Sequence, residues 1–275
     1  MSAAWESCDC GDRLGRVIAA AELGRTLMSN AILIGMSRQM ALQRELDVVS
    51  NNIANINTTG FKGGTAVFEA VTMPGASHSG FGHADRKMSY VHDRSTWHDL
   101  TQGPMRQTGN PLDVAIDGKA FLVVQTPKGE RYTRNGSFQI NATGELITSE
   151  GHKVLGESGP IQFQVNDKDI TISRDGTIAA FEGVRGKLRL VEFENSQSLQ
   201  KDGSSNFATS EDMQPTPAKF PNVIQNALEQ SNVKAIVEMT RMIEVSRQYS
   251  KVSELLQKHG ETRRSAIERL AEVPA

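Results

Sequence analysis

Histidine and aspartate side chains are concentrated in one part of this sequence, and both bind metal ions in proteins. Four of the six histidines lie there beside three aspartates: His78, His83, His92 and His98, with Asp85, Asp93 and Asp99. Their spacings do not match two ligands on one helix face, as in H-x-x-x-H, and neighbouring glycines are typical of a loop. We therefore interpret these residues as solvated loop polarity and predict no metal site.

Other chemical groups are equally isolated. Cys8 and Cys10 are separated by one residue, which is a poor separation for a disulfide, and no further soft metal ligands follow them. Asp113 and Asp117 resemble paired carboxylates, but no base or nucleophile accompanies them, and G-x-S-x-G, H-E-x-x-H and P-loop motifs are absent from the sequence. We predict no catalytic residue, no cofactor and no small-molecule substrate.

The composition also narrows the class of protein. A net charge of -2 over 275 residues gives no electrostatic case for binding nucleic acid or an anionic membrane. No apolar run approaches the ~20 residues that a membrane span requires. With 38% apolar and 5% aromatic residues, the chain is more typical of an extended, turn-rich protein than of an enzyme with a deep aromatic pocket.

Two long helices must position any functional surface. An apolar stripe steps by 4, 3, 4 and 3 residues through Leu42, Leu46, Val49, Ile53 and Ile56. That spacing is typical of a narrow seam packing against another helix. Ser29 or Asn30 is the predicted N-cap, Gly35 would permit close approach of a neighbouring helix, and the helix should end between Asn57 and Gly60.

A second seam lies near the other terminus, in a helix predicted over residues 223–260. Its positions are Ala235, Met239, Met242, Ser246, Tyr249, Ser253 and Leu256, widened by Ile236 and Ile243. Gly260 is the predicted stop, followed by a charged tail at 261–275. We predict that residues 28–62 and 223–260 form one discontinuous helical assembly domain, in which the two seams pair as a coiled-coil-like layer.

Between the helices, residues 108–195 read as short strands separated by turn signals. Hairpin or turn signals are Asp117-Gly118, Lys128-Gly129, Asn135-Gly136 and Asn141 to Gly144. This spacing predicts an all-β sandwich or barrel-like domain inserted between the helices, so the fold class is α+β. Residues 63–107 are interpreted as an extended linker, and the Pro-containing residues 196–222 as a return linker.

Residues 1–27 differ in character from the chain that follows. Acidic residues precede their apolar part, and Glu22 and Arg25 interrupt it, which argues against a secretory signal. We interpret them as a non-native or disordered extension, with Met28 as the biological start.

Three segments carry a family resemblance. Residues 37–62, SRQMALQRELDVVSNNIANINTTGFK, resemble the N-terminal signature of bacterial flagellar rod and hook proteins, and their first half resembles the proximal-rod branch. Residues 108–126, 131–148 and 151–161 resemble the β-domain of the same family. Residues 228–249, LEQSNVKAIVEMTRMIEVSRQY, resemble its C-terminal signature, so the resemblance spans residues 28–260.

The resemblance implies a structural subunit of the proximal rod of the flagellar basal body, the drive shaft for motility. Its implied partners are itself, other rod proteins and the flagellar type III export apparatus, which would carry it to the periplasmic space without a cleaved signal. A distal-rod or hook-type protein of the same family is the alternative. A secreted β-domain adhesion module would leave both terminal seams unexplained.

Two sets of residues follow as candidate sites. The predicted assembly interface comprises Leu42, Leu46, Val49, Ile53, Ile56, Met239, Met242, Ile243 and Tyr249. The predicted hinge between the first helix and the linker comprises Asn55, Asn57, Thr58, Thr59, Gly60, Phe61 and Lys62.

Overall fold

The computed structural model describes most of the chain, namely residues 11–73, 88–164, 167, 169–203, 205–209 and 213–271. Cys8, Cys10, His78, His83 and Asp85 lie outside these residues. The chain divides into two compact units. The first contains the described residues up to Leu46, those within 66–95 and those from Ile243 onward, and the second contains residues 47–65 and 96–242.

The first helix, α1, spans Gly11–Ala54. The predicted N-cap at Ser29 or Asn30 is therefore wrong, and residues 11–27 are helical rather than disordered, as suits their alanine-rich sequence. The helix also ends earlier than predicted. Asn55 caps its end, since Asn55 Nδ2 donates to the carbonyl of Asn51 at 2.8 Å and Asn55 Oδ1 accepts from Thr58 Oγ1 at 3.1 Å.

The second helix, α2, spans Ala235–Ala271. Its predicted start at residue 223 is wrong, because residues 222–225 and 227–229 are strands joined at Asn226, whose φ is 61°. The predicted stop at Gly260 is also wrong, and most of the supposed charged tail is helical. A helical glycine costs about 1 kcal/mol, which strong helix formers on either side, such as Lys258 and Glu261, can offset.

Contacts between α1 and α2 run antiparallel in the first unit. A Cβ at Gly35 would lie 2.6 Å from Leu256 Cδ2, which confirms the predicted close approach at this glycine. Further along α1, Gln39 Nε2 donates to the Tyr249 hydroxyl at 3.0 Å. Because the α2 partner moves towards its N-terminus as the α1 position advances, the two helices run in opposite directions here.

The strands are short except for the first two. In chain order they are β1 Gly64–Met73, β2 Met88–His98, β3 Met105–Gln107, β4 Val114–Asp117, β5 Phe121–Thr126, β6 Gly129–Thr133, β7 Phe138–Ile140, β8 Leu146–Thr148, β9 Lys153–Gly156, β10 Gly159–Pro160, β11 Thr171–Ile172, β12 Thr177–Ala180, β13 Gly183–Lys187, β14 Leu190–Glu192, β15 Gln200–Asp202, β16 Asn206–Ala208, β17 Thr216–Pro217, β18 Asn222–Gln225 and β19 Ala227–Glu229. A short 3-10 helix lies at Ser196–Ser198.

Most of these strands form one large sheet with the path β15-β16-β6-β5-β9-β8-β7, to which β10, β14 and β17 add. Smaller sheets are β1-β2, β11-β12-β13, β18-β4 and β19-β3. The prediction of an α+β fold is confirmed. The interpretation of residues 196–222 as a linker is wrong, because β15, β16 and β17 pair there.

Strand β5 lies at the centre of the large sheet and is buried on both faces. Leu122 and Val124 pack into one apolar cluster with Phe138, Leu146 and Ile178 among others. The alternate residues Phe121 and Val123 pack into a second cluster with Tyr132 and Phe207. Successive strand side chains point to opposite faces, so this continuous apolar run indicates a sheet covered on both sides.

The turn signals had mixed outcomes. Lys128-Gly129 joins β5 to β6 as a hairpin, and residues 141–144 join β7 to β8, as predicted. Asn135-Gly136 is not a hairpin turn, because β6 pairs with β5 and β16 while β7 pairs with β8. Glycine is needed at 136 for close approach instead, since a Cβ there would lie 1.8 Å from the backbone oxygen of Val114.

Gly136→Ala should therefore destabilise the protein by more than about 1–3 kcal/mol, the usual cost of overpacking, because backbone atoms must move. Thermal unfolding followed by circular dichroism measures the change. Gly186→Ala is the matched control, since a Cβ there would meet Ile161 Cγ1 at an ordinary 3.7 Å. Equal melting temperatures for the two variants would contradict the assigned close approach.

Candidate functional site

The segment after α1 is held by a buried cluster of charged side chains, Lys62, Arg134 and Glu229. Lys62 Nζ donates to Glu229 Oε1 at 2.5 Å, and Arg134 Nη1 donates to Glu229 Oε2 at 3.4 Å. The two cations also reach backbone oxygens, Lys62 that of Thr101 at 2.6 Å and Arg134 that of Gly118 at 2.7 Å. One carboxylate thus serves two cations that come from distant parts of the chain.

Burial determines how much this cluster matters. The Lys62 and Glu229 side chains are 0% exposed and that of Arg134 is 2% exposed. Desolvation lowers the pKa of Lys62 and of Arg134, and in both cases the nearby Glu229 charge opposes that shift. An exposed pair is worth about 0–1 kcal/mol, whereas removing one partner of a buried pair costs about 3–5 kcal/mol.

The predicted hinge residues are largely immobilised around this cluster. Gly60 has a φ of 67° and donates its N–H to the Glu229 carbonyl at 2.8 Å, while a Cβ there would lie 2.4 Å from Asn135 N. Thr59 Oγ1 donates to Asn135 Oδ1 at 2.6 Å, and Phe61 is fully buried. Asn57 is exposed. The second half of the segment therefore acts as a fixed anchor in this structure.

Lys201 covers the aromatic ring of this anchor. Its Nζ lies 3.5 Å from the centroid of the Phe61 ring and donates to the Lys62 carbonyl at 3.4 Å. Burial lowers the pKa of Lys201 to about 8. The neighbouring His98 has its pKa lowered by burial and by the Lys201 charge, so this corner favours neutral forms of both groups.

The predicted α1 stripe is partly shielded within the single chain. Leu42 and Val49 are buried, while Leu46, Ile53 and Ile56 are half-buried. A different stripe on the same helix is open to solvent: Leu33, Met36 and Met40, of which Met40 is 72% exposed. Their spacing of three and four residues places them on one helix face. The sequence-based prediction missed this face.

The predicted α2 residues are mostly open to solvent. Met239, Met242 and Ile243 are exposed, with Ile236 more exposed still at 81%, and Tyr249 is half-buried. Ile236, Met239 and Ile243 again step by three and four residues, whereas Val245 is buried on another side of the helix. Each helix therefore has one protected side and one exposed apolar stripe.

The groups considered for catalysis or metal binding have structural contacts. Asp113 Oδ1 accepts from Asn110 Nδ2 at 2.9 Å, and Asp117 Oδ2 accepts from Asn222 Nδ2 at 2.9 Å. Within the described residues, no group of three or more His, Cys, Asp or Glu side chains could hold a metal ion. No helix in that part of the chain has the length and apolarity needed to cross a membrane.

Sequence reasoning missed Glu229, Arg134 and Lys201. Residue 229 was placed in a helix, although β-branched Val223 and Ile224 nearby are typical of strands. Glu229 lies 167 positions from Lys62 and 95 from Arg134, so no local periodicity could join them. The signal that was available is the lysine directly after Phe61 at the end of the signature segment.

Three protein families match the chain in order. Residues 32–62 match the family described as flagella basal body rod protein. Residues 115–180 match the flagellar hook protein FlgE/F/G D1 domain, and residues 224–269 match the flagellar basal body rod FlgEFG protein C-terminal region. The matched regions therefore include both helices and much of the β-rich unit.

Individual relatives extend these matches over most of the chain. The flagellar basal-body rod protein FlgF of Caulobacter vibrioides is 37% identical over 254 residues, covering 90% of this chain and 100% of that protein. FlgF of Escherichia coli K12 is 34% identical, covering 81% and 90% respectively. A rod protein FlgG from Buchnera aphidicola (subsp. Baizongia pistaciae) is 33% identical, covering 81% and 92%.

Two helices with exposed apolar stripes, rooted in a β-rich unit that carries an internal charge cluster, define a structural protein of the flagellar axis. The chain belongs to the FlgE/F/G family of flagellar basal-body rod proteins, and it is a structural subunit of the basal-body rod. The FlgF relatives support the FlgF branch of that family.

Lys201→Met should raise the melting temperature at pH 7, because it removes a half-buried cation and leaves an apolar chain over Phe61. The folded amine titrates near pH 8 and the unfolded amine near its ordinary 10.5. The unfolded state therefore binds more protons between these values, so the stability of the unsubstituted protein rises there with pH. The advantage of the variant should shrink as pH is raised from 8 towards 10.5.

Thermal unfolding at pH 7 and pH 10 measures this difference. Lys128→Met is the control, since the Lys128 side chain is 72% exposed and pairs only at the surface with Asp202. Its effect on stability should be small at both pH values. A Lys201→Met variant that is less stable at pH 7, or whose advantage does not depend on pH, would contradict the assignment.

Proposed function

We propose that this rod subunit belongs to the proximal part of the rod and joins its neighbours through the apolar residues of its two helices. The observation that carries this proposal is the exposed stripe on each helix, Leu33, Met36 and Met40 on α1 and Ile236, Met239 and Ile243 on α2. Burying such a side chain is worth about 1.5–3 kcal/mol. Several must act together to offset the roughly 4–15 kcal/mol that association costs.

The predicted interface residues divide between two roles in this proposal. Leu42 and Val49 support packing within the subunit, because they are already buried. Leu46, Ile53, Ile56 and Tyr249 lie at the edges of the covered sides, while Met239, Met242 and Ile243 face solvent and are available to other subunits. The antiparallel contacts at Gly35 and Gln39 support pairing of the helices as a coiled-coil-like layer.

Repeated contacts of this kind build a filament. A heterologous interface whose rotation does not close produces an open helical assembly. The partners in this proposal are further copies of the chain and other rod proteins, and its role is mechanical, with no catalytic step. The FlgF relatives favour the proximal position, and the FlgG relatives, which cover less of this chain than FlgF of Caulobacter vibrioides, support a distal-rod alternative.

Delivery to the assembly site is the remaining part of this proposal. We infer that the chain crosses the inner membrane unfolded through the flagellar type III export apparatus, without a cleaved signal, and assembles in the periplasmic space. Isolated helices are marginal in water, so α1 and α2 would gain much of their order on incorporation. The predicted start at Met28 remains a hypothesis.

Met239→Asp should abolish motility while leaving the folded subunit intact, because the side chain is 51% exposed but would be desolvated at a subunit interface. The test expresses the variant in cells that lack the natural gene and measures swimming in soft agar and the rods of purified basal bodies. Lys251→Asp, at an exposed polar position on the same helix, is the matched control and should swim.

Thermal unfolding of purified Met239→Asp should match that of the natural sequence, which separates failed assembly from failed folding. Normal swimming with complete rods in the Met239→Asp strain would contradict the proposed contact surface.

A further inference from the structure

Glu229 joins four segments of the second unit. Its side chain accepts from Lys62 Nζ, from the Gly103 backbone N–H at 2.9 Å and from Arg134 Nη1. Its backbone carbonyl accepts from Gly60 N, and the strand that ends with it, β19, pairs with β3. The next residue, Gln230, donates its N–H to the Pro104 carbonyl at 2.9 Å.

The buried cations have no comparable substitute for this carboxylate. Without Glu229, Lys62 would keep the Thr101 carbonyl and Arg134 the Gly118 carbonyl, both neutral acceptors. Asp99 attracts Lys62 and Glu192 attracts Arg134, but each contributes less than Glu229. Arg134 Nε already lacks a partner. Two nearly unexposed cations left in this state would be strongly destabilising, so water would enter or the segments would separate.

The position of Glu229 in the chain sets the order of events. It follows Lys62 by 167 positions and Arg134 by 95. Synthesis proceeds from the N-terminus, so both cations exist long before their shared carboxylate. The junction of residues 60–62, 101–107 and 134 cannot close until residues 227–230 have been made and have docked.

We propose that Glu229 is the closure residue of this unit, a conformational device that keeps the junction open until the chain is nearly complete. The biological use of this device rests on the proposed function, because a subunit exported unfolded must not close early. Once Glu229 docks, it fixes the segment after α1 and the segment before α2 in one step.

Hydrogen exchange of the full-length chain carrying Glu229→Gln tests the proposal. The amide retains the shape of the side chain but removes its charge. Exchange should accelerate about 100-fold at the amides of Gly60, Gly103 and Gln230, as expected from loss of one partner of a buried pair. Amides of the β5–β6 pair should keep their protection. Glu130→Gln is the matched control, because Glu130 pairs with Arg189 at a half-exposed surface site, and it should change nothing.

A double variant, Lys62→Met with Glu229→Gln, keeps the test decisive if Glu229→Gln alone does not fold. Removing one cation together with the anion should restore part of the lost protection. Unchanged exchange in Glu229→Gln, equal acceleration at every amide of the unit, or no recovery in the double variant would overturn the proposal. None of these outcomes bears on the rod assembly function, which the swimming of the Met239→Asp strain tests separately.

Discussion

A carboxylate removed from water between two cations is the constraint on which the β-rich unit depends. Glu229 can remain buried only while Lys62 and Arg134 remain beside it, and each cation in turn needs that carboxylate. The pair therefore fixes positions more strictly than apolar packing would, since a shifted leucine loses little while a shifted buried charge loses its partner. The segment after α1 and the segment before α2 are consequently held at one point.

The sheet provides the rigid body to which that point is attached. Strand β5 is buried on both faces, and Phe121 extends from it towards the cluster, with the Arg134 guanidinium 4.9 Å from its ring centroid. Close packing of this kind transmits force with little deformation. A subunit of a rotating shaft needs such a path from its outer domain to the roots of its helices.

The helices combine two requirements that a single seam could not meet. Leu42, Val49 and Val245 protect one side of each helix within the chain, whereas the stripes containing Met40 and Met239 stay open. Small and polar residues at the crossing, Gly35 and Gln39, allow contact without a wide apolar face. A subunit built in this way keeps apolar surface available for neighbours, as repeated contacts in a rod require.

Local patterns in the sequence determined the two helical regions, the β-rich middle and the close approach at Gly35, because their signals are periodic or lie within a few residues. Only the tertiary structure decided which stripes stay exposed, that Gly260 does not end α2 and that Gly136 serves close approach rather than a hairpin. It also decided the partnership of Lys62, Arg134 and Glu229. Charges separated by 95 and 167 positions meet through the pairing of β19 with β3, and no local periodicity records such a contact.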